Sequence, residues 1–417
     1  MTGSVVRFVQ VANLKLDFPL RGIGNPNRDC LAKIREATFL AFENLIDCCI
    51  EQEVDFLLCC GNCFQAEDRS LPAQVALLHG LEKLNDHAIK VVVVPGAKDP
   101  YQAWENLPSL AENVTVLHAD NPSVMLEFGQ NLPCVKISLG LMQSNREPQE
   151  SGVFRLIVSS NDEQFSPQIA ERSLKSDVFD YLAIGGAGQR QTFSNGLRMI
   201  HHSGSLVPIE KNDLGPHGAS FIEIDENCHP QFRFYNVSPV RRENVKIDID
   251  QNSTWDDIWN RVCKSAQLLI ERKSISPFEE VCLIDWLFID AFLLTRELSS
   301  QKLSECIDSF LCEKFPQNDS SAFVHSVEIR YPKIQTRPSS NENDELNEYL
   351  EILDRIEHSM QGHFECYFRD HVPGEVSWEP HLQEFLDGIE LEAVYSQARR
   401  TGFEVFSKTR IDNSSNA

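Results

Sequence analysis

The sequence predicts an α/β protein (α+β in its later part) whose body is a two-sheet sandwich flanked by helices, four layers in all. Three observations carry this. Residues 91–100 read VVVVPGAKDP, a β-branched run closed by a Pro-Gly turn, and such a run suits a strand buried on both faces. The chain up to that point alternates strand, helix, strand, helix, strand, which calls for parallel pairing through right-handed crossovers. From residue 114 the alternation gives way to short strands separated by turn residues, the pattern of a second, mostly antiparallel layer.

Each element has its own local reason. Residues 5–11 (VVRFVQV) form a first strand that ends at Ala12-Asn13-Leu14-Lys15. A loop rich in Gly, Asn and Pro follows at 21–28. Residues 31–53 carry helical spacing, with Leu31, Ile34, Thr38, Ala41, Leu45 and Cys49 on one face. The second strand, 54–60, ends at Gly61-Asn62. A helix over 72–85 turns Val75, Leu78 and Leu81 inward, and 91–94 is the third strand. Short strands are expected at 114–117, 124–128, 135–139, 154–159 and 180–184, the last ending in Gly185-Gly186-Ala187-Gly188. Strands at 199–203, 220–224 and 231–235 complete a first domain over 1–239.

The pattern breaks at Val237-Ser238-Pro239. Beyond it a small capping-type α/β domain is expected over 240–336. It holds a strand at 245–249, a helix capped by Ser253 with Asp256 at its third position and running to about 272, and strands at 281–288 and 327–330. Residues 338–345 (PSSNENDE) are polar and linker-like. The region 337–411 then reads as helical. Leu346, Tyr349, Leu350, Leu353, Ile356 and Met360 form an apolar stripe, and a second helix spans 381–400. The tail 412–417 is expected to be disordered.

Composition excludes some functions. The 417 residues hold 38 Lys+Arg against 62 Asp+Glu, a net charge of −24. Such a molecule repels polyphosphate at long range, so a broad nucleic-acid surface is disfavoured unless charge is locally segregated. Of the thirteen cysteines, Cys48, Cys49, Cys59, Cys60 and Cys63 sit in or beside apolar runs and read as small hydrophobes. Cys60-Gly61-Asn62-Cys63 is a lone C-x-x-C, whereas a zinc site needs a second pair. The odd cysteine count and the missing signal peptide point to the reducing cytoplasm. No apolar run approaches the ~20 residues of a membrane span.

The strand ends carry more. VDFLLCCGN at 54–62, VVVVPGAKD at 91–99, DYLAIGGAGQRQ at 180–191 and HHSGSLVPIEKNDLGPHGASFIEID at 201–225 occur in this order. Together they resemble the calcineurin-like metallophosphoesterases, and within them the SbcD/YhaO-type DNA repair exonucleases. The resemblance covers about residues 6–239 well and the next domain weakly. It implies a metallophosphoesterase-like sandwich and, in intact relatives, two metals. Those are held by Asp-x-His after the first strand, Gly-Asp after the second, Gly-Asn-His-Asp after the third, a later His, and Gly-His-x-His. Set against those motifs, Asn13 and Lys15 occupy the first pair and Asn62 the bridging Asp. Ala97 and Lys98 replace the Asn and His, Ser159 or Ser160 falls at the later His, and Gly186 and Gly188 replace the last two His. Asp99 is kept.

Charge decides what this means. Two cations roughly 3.5–4 Å apart need anionic carboxylates between them, and hard divalent ions want carboxylate, imidazole or water. Amides, glycines, an alanine and two ammonium groups supply neither the charge nor the ligands. The expectation is no metal, no cofactor and no metal-activated hydroxide; manganese would enter only if an atypical site were active.

Two readings of the replaced site stay open. In one the loops drifted once hydrolysis was no longer selected. In the other Lys15 and Lys98, with Arg190 near them, hold a DNA end or phosphorylated ligand without cleaving it. His201 and His202, adjacent on one strand, point to opposite faces and read as packed or surface residues. His217, in Gly-Pro-His-Gly, reads as a turn residue. The stripe from Leu346 docks on the protein's own core or on a partner. The resemblance adds an SbcC/YhaN-like coiled-coil ATPase as candidate partner, and a homodimer is a further option. The functional expectation is a catalytically inactive homologue of SbcD-type exonucleases, serving as a non-catalytic subunit or scaffold. The alternatives are an active exonuclease or phosphoesterase with an atypical metal site, or a phosphate-binding module using Lys15 and Lys98.

Overall fold

The structure is a computed structural model. It describes residues 5–24, 26–129, 132–140, 152–160, 167–186, 188–249, 253–273, 277–289, 300–315, 323–330 and 344–359, with 394–395, 398–399 and 401. The chain divides into two compact units, one of residues 1–245, 263–285 and 306–326, the other of 246–262, 286–305 and 327–417.

The first unit is built on two six-stranded sheets. One contains β1 (Val6–Val11), β2 (Phe56–Cys60), β3 (Lys90–Val94), β4 (Val114–Val116), β11 (Gly218–Ile224) and β12 (Pro230–Asn236), in the order β12-β11-β1-β2-β3-β4. The strands β1 to β4 run parallel, and β11 and β12 add antiparallel at the edge. The other sheet contains β5 (Ser123–Leu126), β6 (Cys134–Leu139), β7 (Val153–Ser159), β8 (Tyr181–Ile184), β9 (Gln191–Ser194) and β10 (Met199–His202), in the order β5-β6-β7-β8-β10-β9. Here the expectation of a mostly antiparallel layer is corrected. Its four middle strands, β6, β7, β8 and β10, are parallel, and only the edges are antiparallel. The strands at 220–224 and 231–235 exist as expected but belong to the first sheet.

Alternation along the strands makes the layers. Val9, Val11, Leu57, Cys59, Val91 and Val93 face the helices α1 (Arg28–Glu51) and α2 (Leu71–Asp86). Phe8, Phe56, Leu58, Cys60, Val92 and Val94 face the second sheet and meet Val135, Ile137, Phe154, Leu156, Val158 and Tyr181. Phe8 stacks on Phe56 with ring centres 4.7 Å apart. On the far side, Leu182, Ile184 and Ile200 pack with Ala170 and Leu174 of α4 (Pro167–Leu174). Helices, sheet, sheet, helix: four layers.

The helix starts follow the capping rules. Asn27 accepts from the Cys30 N–H at 2.8 Å to begin α1, and Ser70 accepts from the Ala73 N–H at 3.2 Å to begin α2. On α1, Leu31 is only half-buried, and its neighbour Cys30 takes the buried place. On α2 the expected face is one step out of phase. Val75 is 58 % exposed, and Ala73, Leu77, Gly80, Leu81 and Leu84 are the buried set.

A three-stranded sheet follows, β13 (Val240–Asp248), β14 (Val281–Ile289) and β15 (Phe323–Arg330), in that order. The helix α5 (Trp255–Lys273) is capped by Thr254 rather than Ser253. The Thr254 hydroxyl accepts from the Asp257 N–H at 3.3 Å and the Asp257 carboxylate accepts from the Thr254 N–H at 3.0 Å, a reciprocal capping box. α3 (Tyr101–Glu105), α4, α6 (Ser300–Lys314) and β9 had no counterpart in the sequence reading. α7 (Asp344–Ser359) packs within its own unit: Leu353 is buried, the Tyr349 hydroxyl donates to the Ala398 carbonyl at 2.9 Å, and Arg399 pairs with Asp354 at 2.7 Å. The expected helix over 381–400 and the tail lie largely outside the described residues. Among the described residues no helix is long and apolar enough to cross a membrane.

Candidate functional site: the carboxyl ends of the parallel strands

In a parallel sheet the loops that leave the carboxyl ends of the strands converge, and ligands bind there. Four such loops meet in this protein: after β1 (Asn13, Lys15), β2 (Gly61, Asn62), β3 (Gly96–Asp99) and β8 (Gly185–Gly188). Asn13 and Lys15 sit at φ +51° and +44°, and Asn62 at +57°. This is the left-handed region that asparagine tolerates better than most residues.

Side-chain amides tie the four loops together. The Asn13 Nδ2 donates to the Gly186 carbonyl at 2.9 Å. The Asn62 Nδ2 donates to the Asn13 Oδ1 at 2.8 Å, and the Asn62 Oδ1 accepts from the Lys98 backbone N–H at 3.1 Å. The Lys15 N–H adds a bond to the Asn62 carbonyl at 3.0 Å. A continuous ladder therefore runs Gly186–Asn13–Asn62–Lys98 across the ends of β8, β1, β2 and β3. Each amide oxygen that faces the cleft already accepts a hydrogen bond, and Asn13 is 1 % exposed.

Asp99, the acid of the loop after β3, bonds to the same loops. It is fully buried and accepts from the backbone N–H of Asn62 at 2.7 Å, of Cys63 at 2.9 Å and of Gly96 at 2.8 Å. Burial pushes its carboxyl upward, and the N–H groups of Cys63, Gly96 and Asn62 pull it back down. Its role is to pin the β2 and β3 loops together, and it does not face the cleft.

The glycines mark close approaches. A Cβ at Gly185 would lie 1.9 Å from the Cys60 carbonyl oxygen, so the end of β8 presses directly on the end of β2. A Cβ at Gly188 would lie 2.6 Å from the Asp213 Oδ1. Asp213 is buried, accepts from the Glu210 N–H at 2.9 Å, and was not singled out by the sequence reading. Gly186 adopts φ +82°, which disfavours any side chain there.

The metal pair implied by the resemblance does not fit these residues. The cleft offers two amides already bonded to each other, two glycines, an alanine and two lysines. Among the described residues no cluster of three His, Cys, Asp or Glu is placed to hold a metal ion. The buried thiols near the second strand carry no charge to offer: burial raises Cys60 and Cys49 well above the usual thiol range, and Cys63, first through its bond to Cys59, rises too.

The cations are placed as follows. Lys98 and Ala97 are exposed, and Lys15 is half-buried with its Nζ 5.6 Å over the Phe18 ring. The Arg190 guanidinium lies 3.5 Å over the Phe234 ring of β12.

The histidines are core residues. His201 is fully buried; its Nε2 bonds the Ser220 hydroxyl at 2.7 Å and its Nδ1 the Thr192 hydroxyl at 2.8 Å. The Gln10 amide donates to its carbonyl at 3.1 Å and accepts from the Tyr181 hydroxyl at 2.6 Å. Burial drives its pKa down to about 3, with Arg190 and His202 adding to the effect. This neutral network spans the two sheets. His202 is 2 % exposed. His217, read as a turn residue, is also buried, its Nδ1 at 3.1 Å from the Ser205 hydroxyl.

No protein-family model matches the chain. An uncharacterized metallophosphoesterase, YhaO of Bacillus subtilis, is 25 % identical over 286 residues, covering 65 % of this chain and 69 % of its own. Solved structures that match include a dimetal phosphatase from Danio rerio (10 % identity, 54 % of this chain and 98 % of that one, TM-score 0.35). An archaeal phosphodiesterase also matches (12 % identity, 55 % and 99 %, TM-score 0.28). With the motif blocks in order and the four-layer sandwich carrying them at its strand ends, the chain is similar to the metallophosphoesterases.

Proposed function

We propose that this protein is a pseudo-enzyme, a catalytically inactive homologue of SbcD-type DNA repair exonucleases that serves as a scaffold or non-catalytic subunit. The observation that carries this is the amide ladder from Gly186 through Asn13 and Asn62 to Lys98. A two-metal hydrolase needs an open set of anionic ligands between its cations. Here the positions that would supply it bond to each other and are neutral or cationic. Among the described residues of these loops, the Asp99 carboxylate is buried against three backbone N–H groups, and positions 98, 186 and 188 are Lys, Gly and Gly.

The partner class that suits this reading is a coiled-coil ATPase of the SbcC/YhaN kind, in the cytoplasm. The described cysteines are all free thiols, which supports a reducing compartment.

The test is metal analysis of the purified chain together with a phosphodiester assay in manganese. We expect neither stoichiometric metal nor turnover. Manganese bound one-to-one or better, with cleavage abolished by Asn62→Ala, refutes the reading.

A further inference from the structure

The strand-end loops concentrate positive charge on a chain whose net charge is −24. Lys15 Nζ and Arg21 Cζ lie 5.6 and 5.5 Å from the centre of the same ring, Phe18. Lys98 is exposed on the neighbouring loop. The backbones of Lys15 and Lys98 both donate to Asn62, at 3.0 and 3.1 Å, so the two loops that carry these lysines meet at one residue.

The carboxylates of these loops do not neutralise them. Asp99 is buried and capped by three backbone N–H groups. Asp17 accepts from the Ser70 hydroxyl. Arg21 meets Glu210 at 3.6 Å with the two side chains 62 % and 45 % exposed, a geometry that solvent screens heavily. Among the described residues neither Lys15 nor Lys98 has an ion-pair partner.

Two cations over one aromatic ring repel one another, and Lys98 adds a third positive charge from the adjoining loop. An anion placed among them removes that repulsion and gains charge-assisted hydrogen bonds. Ammonium groups hold a phosphate as point charges, and without a paired metal they do not generate a nucleophile.

We propose that Lys15 and Lys98, with Arg21 beside Lys15 on Phe18, form a metal-independent binding site for a phosphate group, which is held and not cleaved. The site rests on the non-catalytic reading above. The phosphate could belong to a nucleic-acid end or to a free nucleotide; the same lysines would serve both.

The test uses the full chain in EDTA and fluorescence anisotropy with a labelled single-stranded oligonucleotide carrying a 5′-phosphate or a 5′-hydroxyl. Inorganic phosphate and ADP serve as competitors. The phosphorylated end should bind about tenfold or more tightly than the hydroxyl end, ~1.4 kcal/mol. Lys15→Ala/Lys98→Ala should lose that preference, Lys15→Arg/Lys98→Arg should keep most of it, and Lys246→Ala/Lys264→Ala, an equal loss of charge elsewhere, should leave it unchanged. Displacement by ADP assigns the site to free phosphate compounds as well; resistance to ADP assigns it to the nucleic-acid end. Equal binding of both ends, absence of binding, or a double alanine variant that keeps the preference overturns the proposal. Cleavage of the oligonucleotide in manganese would instead refute the non-catalytic reading, so the two failures are distinguishable.

Discussion

If the amide ladder holds the strand ends together in place of metal ions, its central residue should carry measurable stability. Asn62→Ala removes the bond to the Asn13 Oδ1 at 2.8 Å and the bond from the Lys98 N–H at 3.1 Å. The Lys98 end is exposed, so water can replace its partner at little cost. The Asn13 end is 1 % exposed, and taking a hydrogen bond away from a buried acceptor costs about 1–3 kcal/mol. Alanine at φ +57° adds up to about 1 kcal/mol of backbone strain. The expected loss is therefore about 1–4 kcal/mol. Asn62→Gly, which removes the amide without the strain, should fall at the lower end, and the difference between the two isolates the backbone contribution. The assay is urea unfolding at pH 7 of the parent and both variants, each with EDTA and with manganese. The parent midpoint should be indifferent to either addition. A loss below about 0.5 kcal/mol for Asn62→Ala, the level of an ordinary surface change, would refute the ladder as a structural staple. So would a parent that is destabilised by EDTA.

Further outcomes follow from the same structure. His201 is held near a pKa of about 3 and His325 near about 4, against 6.5 for a free imidazole. A depressed histidine contributes stability at neutral pH that is lost as pH falls below 6.5 toward the folded value, because only the unfolded chain takes up the proton. By pH 4 this should amount to about 3 kcal/mol for each residue as an upper bound. Urea midpoints between pH 7 and 4 should fall accordingly, and a flat profile would contradict the buried network. On α2, Leu77→Ala should cost about 2–5 kcal/mol, while Val75→Lys should stay within about 0.5 kcal/mol; the reverse order would put the helix in the other phase. Arg242 is fully buried and donates to the carbonyls of Arg21 and Gly22 and to Asp285. Arg242→Met should cost about 3–5 kcal/mol by removing the cation beside Asp285, which among the described residues keeps only the Ser326 hydroxyl, with faster amide exchange in residues 17–24; unchanged exchange there would deny it the role of holding that loop.

The sequence made β1, β2, β3, α1 and the glycine-rich end of β8 legible because each is a strong local pattern: apolar runs, a capped 3.6-residue period, a turn. The direction of pairing in the second sheet was not legible. Strands β6, β7, β8 and β10 are short, and nothing in a short strand records whether its neighbour runs with or against it. The return of β11 to pair with β1 is a contact between residues about two hundred positions apart, such as Val6 with Ile224, and leaves no local trace. Gln191–Ser194 was missed because an edge strand that is mostly exposed lacks the apolar alternation that marks a strand. α6 did carry a signal, Leu303, Ile307 and Leu311 four apart and buried, which could have been read. On α2, Val75 and Leu77 are both apolar, and only packing decides which of two overlapping stripes turns inward. At the site, residue identities gave only which amides, glycines and lysines stand at the strand ends. They could not show that Asn13 and Asn62 bond each other, or that Asp213 sits against Gly188.

Those two contacts change what the replacements mean. A metal site that merely lost its ligands would leave loops with unpaired polar groups around a hollow, and such groups are costly when buried. Here the loops after β1, β2, β3 and β8 are joined by direct hydrogen bonds, and the ends of β8 and β2 press together at Gly185 and Cys60. Returning Asp at 13 and 62 would set two anions against each other where an amide donor and acceptor now meet. Returning His at 186 meets φ +82°, and at 188 it meets the Asp213 carboxylate. Under the non-catalytic reading, the task of holding four loops in register at the ends of a parallel sheet falls to shared protons and needs no shared cations. Such loops can close without ions because the layers beneath them pack from Phe8, Phe56, Val92 and Tyr181, independently of the rim.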